Sequence, residues 1–233
     1  MSDDLTGALY PFLTGTAVDS DDLLAELRRS TEEKTREIIE LRQRVLTQER
    51  ERIVACAQAM AQAFLAGGRL FTFANGGSAT DAAELAHLFM DPPPPAPPLP
   101  ATVLTTDMAT VTALGNDVGF EVVFARQLAA LGRPGDIAVG LSTSGNSANL
   151  LAAFDQARRL GMVTVGLSGS RGGRMAEPGR IAHLFVMPSS SVHRIQEAQT
   201  TVYHVLWELT VDAYRRAMPV PPRQQDEIHR VGR

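Results

Sequence analysis

The chain contains one cysteine, Cys56, among 233 residues. A lone thiol cannot close an intramolecular disulfide, so packing must hold the fold, and this sparing use of cysteine fits a reducing compartment. No apolar run approaches the roughly 20 residues that a membrane-spanning helix needs. Positive charge is not in excess: 22 Lys and Arg stand against 26 Asp and Glu, a net charge of −4. That balance lacks the basic footprint of a nucleic-acid binder. Neither a G-x-G-x-x-G fingerprint nor a Gly-Lys-Ser/Thr loop occurs, which argues against the common nucleotide-binding turns. The first residues, Met1-Ser2-Asp3-Asp4, are acidic and carry no basic segment of the signal-peptide kind. The expectation is a cytoplasmic protein with neither membrane nor nucleic acid as partner. With 44% apolar residues, the length suits one α/β domain with a full core.

What the chain does have is a hydroxyl-rich turn. Residues 136–141 form an apolar run that reads as a buried parallel strand. Residues 150–160 then repeat apolar side chains at helical spacing. Between them, Ser142, Thr143, Ser144 and Ser147 place four hydroxyls within six positions. Free N–H groups and the positive dipole end of the new helix would join these hydroxyls. The result is a cradle for phosphate or carboxylate built without Lys or Arg. Ser and Asn are also favoured helix caps, but one cap needs one side chain.

The same strand–turn–helix pattern occurs earlier in the chain. Residues 69–74 read as a strand, Asn75-Gly76-Gly77-Ser78 as a turn whose glycines admit a ligand to the backbone, and 79–89 as a helix. Further strands are expected at 101–104, 162–167 and 181–186, with helices at 107–114, up to Leu131, and 194–218. The seven prolines in residues 91–100 mark a semi-rigid spacer loop. Before the first strand, the pattern predicts a short helix over 21–29 and a longer amphipathic one from Thr31 or Thr35 to Leu65. The longer helix suits packing against another copy of the chain. Gly67-Gly68 ends it. The expected organisation is a tail and oligomerisation helices over 1–49, a ligand-binding domain over 50–218 and a polar tail over 219–233. Alternating βα units imply a parallel, doubly wound sheet with its ligand at the carboxyl ends of the strands.

Four stretches in this order resemble the sugar isomerase (SIS) domain family, and within it the phosphoheptose isomerase branch. They are Asn75-Gly76-Gly77-Ser78, Gly115-Asn116-Asp117-Val118-Gly119-Phe120, the segment from Ser142 to Asn149, and Arg194-Ile195-Gln196-Glu197 with His204 eight residues after Gln196. The resemblance implies a three-layer α/β/α sandwich around a five-stranded parallel sheet. It also implies a homo-oligomer, dimer or tetramer, with sites at subunit interfaces, and in some members a zinc ion. Ser142, Thr143, Ser144 and Ser147 would hold a sugar phosphate. Asn75, Gly76, Gly77, Ser78, Asp117, His193 and Gln196 would line the rest of the substrate site. The implied reaction is aldose–ketose isomerisation of sedoheptulose 7-phosphate or a related sugar. It proceeds through an enediolate and needs a base and a proton donor but no redox cofactor.

Three positions depart from the family pattern. Six and ten residues after Ser78, where the branch carries His and its catalytic Glu, stand Glu84 and Leu88. His193 replaces the Asp that precedes the Arg-Ile-Gln-Glu run. A leucine neither accepts a proton nor binds a metal. Glu84 lies one turn before Leu88 and is the carboxylate available to replace it, with His204 as its acid–base partner. Glu84, Gln196 and His204 are also the candidate metal ligands. On one straight helix, however, Gln196 and His204 would stand roughly 12 Å apart along the axis. The helix would then begin later, the site would be extended, or the two residues would come from different subunits. A non-catalytic module that binds a phosphosugar or a protein as sensor or adaptor is the alternative that Leu88 raises. His87, His183, His229 and Cys56 read as packed or solvated residues without a role in the site.

Overall fold

The computed structural model describes residues 20–218. The expected tails over 1–17 and 219–233, and His229 with them, lie outside these residues. Packing divides the chain into two units, one up to Glu40 and one from Leu41. Leu41 and Val45, at the start of the second unit, are buried.

A single helix, α1, spans Ser20–Leu65 where two were expected. No Gly or Pro interrupts it, and the two threonines proposed as starts do not act as caps. Thr31 Oγ1 donates to the Leu27 carbonyl at 2.8 Å, and Thr35 Oγ1 to the Thr31 carbonyl at 2.9 Å. Each hydroxyl is thus satisfied one turn back, inside a continuing helix. In the N-terminal unit the leucines of α1 face solvent: Leu23, Leu24 and Leu27 are all exposed. The helix ends where Gly67 takes φ +83° and Gly68 N donates to the Ala63 carbonyl. A Cβ on Gly68 would meet the Gly135 carbonyl oxygen at 2.5 Å, so the following glycine is required as well.

The second unit is an α/β/α sandwich. Its strands are β1 (Leu70–Ala74), β2 (Ala101–Val103), β3 (Ile137–Ser142), β4 (Val163–Gly169) and β5 (His183–Met187). All pair in parallel in the order β2-β1-β3-β4-β5. Helices α2 (Gly77–Met90) and α6 (Val192–Ala217) pack together over one face of the sheet. Helices α4 (Val123–Leu131) and α5 (Ala148–Arg159) cover the other, and α3 (Met108–Asp117) packs beside α4. α3 runs through Gly115, at which the sequence pattern ended it, and closes at Asp117. The Pro-rich stretch is a loop between α2 and β2, fixed at its far end by Leu99 N donating to the Phe89 carbonyl at 2.7 Å.

β1 and β3 are buried along their whole length, as continuous apolar strands covered on both faces must be. Phe73 stands between Phe124 and Phe154, with ring centroids 5.6 Å and 5.2 Å away. Gly140 makes this approach possible, since a Cβ there would lie 2.6 Å from the Phe73 ring.

The strand order reverses direction between β1 and β3. In such sheets the ligand crevice opens at that switch point, beyond the carboxyl ends of the two strands. The opposite edge is tied by Asp136, which is buried at 2% exposure. It accepts from the Arg69 amide at 2.8 Å, the Arg133 amide at 2.9 Å and Arg69 Nη2 at 2.8 Å. Asp136→Ala would leave two amides without their acceptor and the Arg69 guanidinium with the Leu131 carbonyl alone. We expect a loss of about 3 kcal/mol, read as a fall in Tm of about 6–12 °C in a thermal melt. Ligand binding should be unchanged, because Asp136 stands at the far edge of the sheet.

Candidate functional site

The switch point brings the two polar turns side by side, because Ala74 pairs with Leu141 at the strand ends. The turns are joined by a reciprocal amide pair: Asn75 Nδ2 donates to Asn149 Oδ1 at 2.9 Å, and Asn149 Nδ2 to Asn75 Oδ1 at 2.8 Å. Asn149 was part of the sequence motif but carried no assigned role, and the structure shows it to be the brace of the turn.

In the hydroxyl-rich turn, Ser142 is buried and Ser144 exposed, with Thr143 and Ser147 between these extremes. Ser142 Oγ accepts from Gly145 N at 3.1 Å and lies 3.2 Å from Ser147 Oγ and 3.5 Å from Ser144 Oγ. Ser147 occupies the N-cap position of α5, yet its side chain makes no capping hydrogen bond. The capping explanation for this hydroxyl is therefore excluded, and Ser147 turns toward Ser142 instead. Of the first amides of α5, Leu150 N donates to Asn149 Oδ1 at 3.0 Å, and those of Ala148 and Asn149, which have no carbonyl partner within the helix, are the ones an anion would meet.

Gly145, at φ +66°, closes the turn against the loop after β4, where a Cβ would come within 2.0 Å of the Gly172 carbonyl oxygen. Asn146 Oδ1 accepts from Arg174 N at 2.9 Å, and the Gly145 carbonyl from Met175 N at 2.9 Å. β4 itself continues to Gly169, beyond the turn start expected at 168.

A second cluster runs along the seam of α2 and α6. Ser191 caps α6 by accepting from Arg194 N, so the helix begins at Val192 and already contains Gln196. The option of a later start is thereby excluded, and Gln196 and His204 stand about two turns apart on one helix. Each meets a different residue of α2. Gln196 Nε2 is 3.4 Å from Ser78 Oγ, and Glu84 Oε1 is 3.5 Å from His204 Nε2. His204 Nδ1 lies 2.9 Å from the Thr200 carbonyl. A carbonyl only accepts, so Nδ1 carries the proton and Nε2 is left as the basic nitrogen facing the carboxylate. At 3.5 Å the two groups are not hydrogen-bonded, but a proton taken up by either one would lie within reach of the other after a small movement.

Tyr203, which the sequence reading did not single out, completes the cluster. Its hydroxyl donates to Glu84 Oε2 at 2.8 Å, and its ring stacks on His204 at 4.8 Å. Burial and the Glu84 charge hold the Tyr203 phenol above its usual range, so it stays a donor. Asp81, one turn before Glu84, has its pKa raised by burial and then by the Glu84 charge. Its signal in the sequence was the spacing of three from Glu84, which puts two carboxylates on one helix face.

Other expected residues fall away from this arrangement. Asp117, the last residue of α3, is exposed and accepts from its neighbour Asn116 at 2.7 Å. His193 is exposed on the first turn of α6, and His87 on α2 is exposed as well, while Leu88 is half-buried. His183 is partly buried on β5, and Cys56 is fully buried, its thiol pushed up to about 12 by burial.

A zinc ion finds too few ligands here. Glu84 and His204 offer two donors, and Gln196 stands about two turns away from His204 on α6. Among the described residues no three His, Cys, Asp or Glu side chains gather at one point. A catalytic zinc is ordinarily held by three protein ligands, and Leu88 removes the carboxylate that this helix would have added. A cleft of about 520 Å³ lies elsewhere, between α3 and α4, and includes none of these groups. The seam is instead open, with the Glu84 and His204 side chains 50% and 36% exposed.

The family described as SIS domain matches residues 35–169. The phosphoheptose isomerase of Roseiflexus sp. is 43% identical over 172 residues, 73% of this chain and 86% of that one. That of Aquifex aeolicus is 46% identical over 164 residues, covering 68% and 83%. Among solved structures, phosphoheptose isomerase GmhA from Neisseria gonorrhoeae superposes with a TM-score of 0.72 at 34% identity, over 79% of this chain and 98% of the other.

The cradle gives a clean test. Because Ser147 does not cap α5, Ser147→Ala should leave the melting temperature nearly unchanged. Its affinity for a phosphate-bearing ligand should fall about 10–100-fold, the loss of one hydrogen bond to a charged group, about 1.5–3 kcal/mol. Calorimetry on the variant reads both quantities.

Proposed function

The chain belongs to the SIS domain family, in its phosphoheptose isomerase branch, and we propose that it is an aldose–ketose isomerase acting on sedoheptulose 7-phosphate or a closely related sugar phosphate. The observation that carries this reading is the facing of Glu84 Oε1 and His204 Nε2 at 3.5 Å across the seam of α2 and α6. The named relatives are phosphoheptose isomerases, and the pair supplies the base and the donor that such a reaction requires.

In this reading the phosphate sits on Ser142, Thr143, Ser144, Ser147 and the first amides of α5. The sugar extends past the Asn75 to Ser78 turn, where Ser78 and Gln196 bind its hydroxyls, toward Glu84. The Glu84 carboxylate removes the proton from the carbon beside the carbonyl, and the electron pair forms the enediolate. His204 moves a proton between the two adjacent oxygens. Glu84 then returns its proton to the neighbouring carbon, so atoms and charge balance without redox chemistry. Asp117 and His193 enter the substrate site only if another copy of the chain or a closing motion brings the sugar to them. The exposed leucines at 23, 24 and 27 on α1 are the surface we assign to self-association. No helix among the described residues is long and apolar enough to cross a membrane, and we place the protein in the cytoplasm, where its phosphorylated substrate would be.

Leu88 favours one competing reading, in which the chain binds the phosphosugar as a sensor or adaptor without turning it over. Incubation with sedoheptulose 7-phosphate, followed by NMR, separates the two. The isomerase reading expects product from the wild type. Glu84→Gln should lower kcat at least about 100-fold, with substrate affinity within about threefold, because shape is kept and the proton acceptor lost. Binding without product would establish the adaptor reading, and Leu88→Glu would then test whether one carboxylate restores turnover. Light scattering at micromolar concentration should show a dimer or tetramer, and replacing Leu23, Leu24 and Leu27 by Ser should shift it toward monomer.

A further inference from the structure

A base must be held still as well as present. Glu84 has a long side chain that is half exposed, and free rotation would spread its two oxygens over many positions. The structure removes that freedom with one neighbour. The Tyr203 hydroxyl donates to Oε2 at 2.8 Å, which leaves Oε1 as the oxygen that faces His204. Tyr203 is itself packed on all sides: the residue has 0% exposure in the core and stacks on the imidazole at an interplanar angle of 25°. One aromatic side chain therefore orients both members of the proposed acid–base pair, the carboxylate through its hydroxyl and the imidazole through its ring. The sheet beneath α2 offers no competing partner, since β1, β2 and β3 carry no charged side chain. On α2 the nearest charged neighbour is Asp81, which repels Glu84 rather than holding it.

We infer that Tyr203 is a positioning residue for the isomerisation, which fixes the Glu84 carboxylate so that Oε1 is the proton acceptor and keeps His204 beside it. The inference rests on the isomerase reading above and assigns a part to a residue that touches neither the substrate nor the cradle.

The test is a double-mutant cycle on turnover of sedoheptulose 7-phosphate. Tyr203→Phe keeps the ring and removes the hydroxyl. It should lower kcat about 10–100-fold, the scale for a misplaced catalytic group, with KM within about twofold. The double variant Tyr203→Phe, Glu84→Gln should be no slower than Glu84→Gln alone, because the phenol acts through that carboxylate. A residue that only filled the core would not show this dependence. Unchanged kcat in Tyr203→Phe beside a slow Glu84→Gln overturns the inference and leaves the isomerase reading standing. So does a double variant slower than Glu84→Gln by the full factor of Tyr203→Phe. A fast Glu84→Gln overturns both. A measurement on the unaltered site keeps the inference testable should Tyr203→Phe fold poorly. With three tyrosines in the chain, tyrosine-labelled NMR should show one slowly exchanging hydroxyl proton that disappears in Glu84→Ala. Its absence from the wild type would also overturn the inference.

Discussion

The parallel pairing of β1 with β3 is the constraint on which the rest of the structure depends. It aligns Ala74 with Leu141, so two turns separated by more than sixty residues emerge at adjacent points of one sheet edge. Everything proposed to touch a ligand leaves from those turns or from the helix seam beside them. The pairing persists because both strands are buried on both faces, where an unpaired amide would cost the full desolvation of its polar group. The twin asparagines, Asn75 and Asn149, carry the same pairing outward, past the last ladder hydrogen bond.

The anion cradle is a backbone construction more than a side-chain one. Its serines hydrogen-bond one another and the amides of their own turn, and its shape is held from behind by the loop that follows β4. Gly145 and Gly172 are required there by contact distance: a Cβ on Gly145 would overlap the Gly172 carbonyl. No Lys or Arg is part of the turn. An anion bound here is met by hydroxyls, amides and a helix dipole, which suit a phosphate that must be held in one orientation while the rest of its sugar reacts.

In the proposed reading, the seam of α2 and α6 lets a carboxylate one turn from Leu88 serve the site. Ser78 meets Gln196, and Glu84 meets Tyr203 and His204, so the two helices run in the same direction with matched spacing. Leu88 lies half-buried further along α2. One turn before it, Glu84 has the Tyr203 phenol on one oxygen and the His204 imidazole before the other. These are the components of proton transfer, whereas the donors fall short of a three-ligand zinc site.

The layered α/β architecture, the buried strands and the hydroxyl-rich turn were legible in the sequence, because each rests on local rules: apolar runs for buried strands, helical periodicity, and glycines at turns. The pairing of Glu84 with His204 was expected from the resemblance to the SIS family, with Glu84 one turn before the position of the family carboxylate, and not from any local rule. The length of α1 could not be read, since Thr31 and Thr35 look like helix starts until their hydroxyls are seen bonded back into a continuing helix. Nor could Tyr203 be read: an aromatic among apolar residues at helical spacing has the same pattern whether its hydroxyl is idle or engaged. That Ser147 points away from the cap position, that Gln196 belongs to Ser78, and that one phenol holds Glu84 were decided by tertiary structure alone. Local sequence sets which groups are available. Which groups meet depends on the register of strands and helices far apart in the chain, and that register is settled only when the whole core packs.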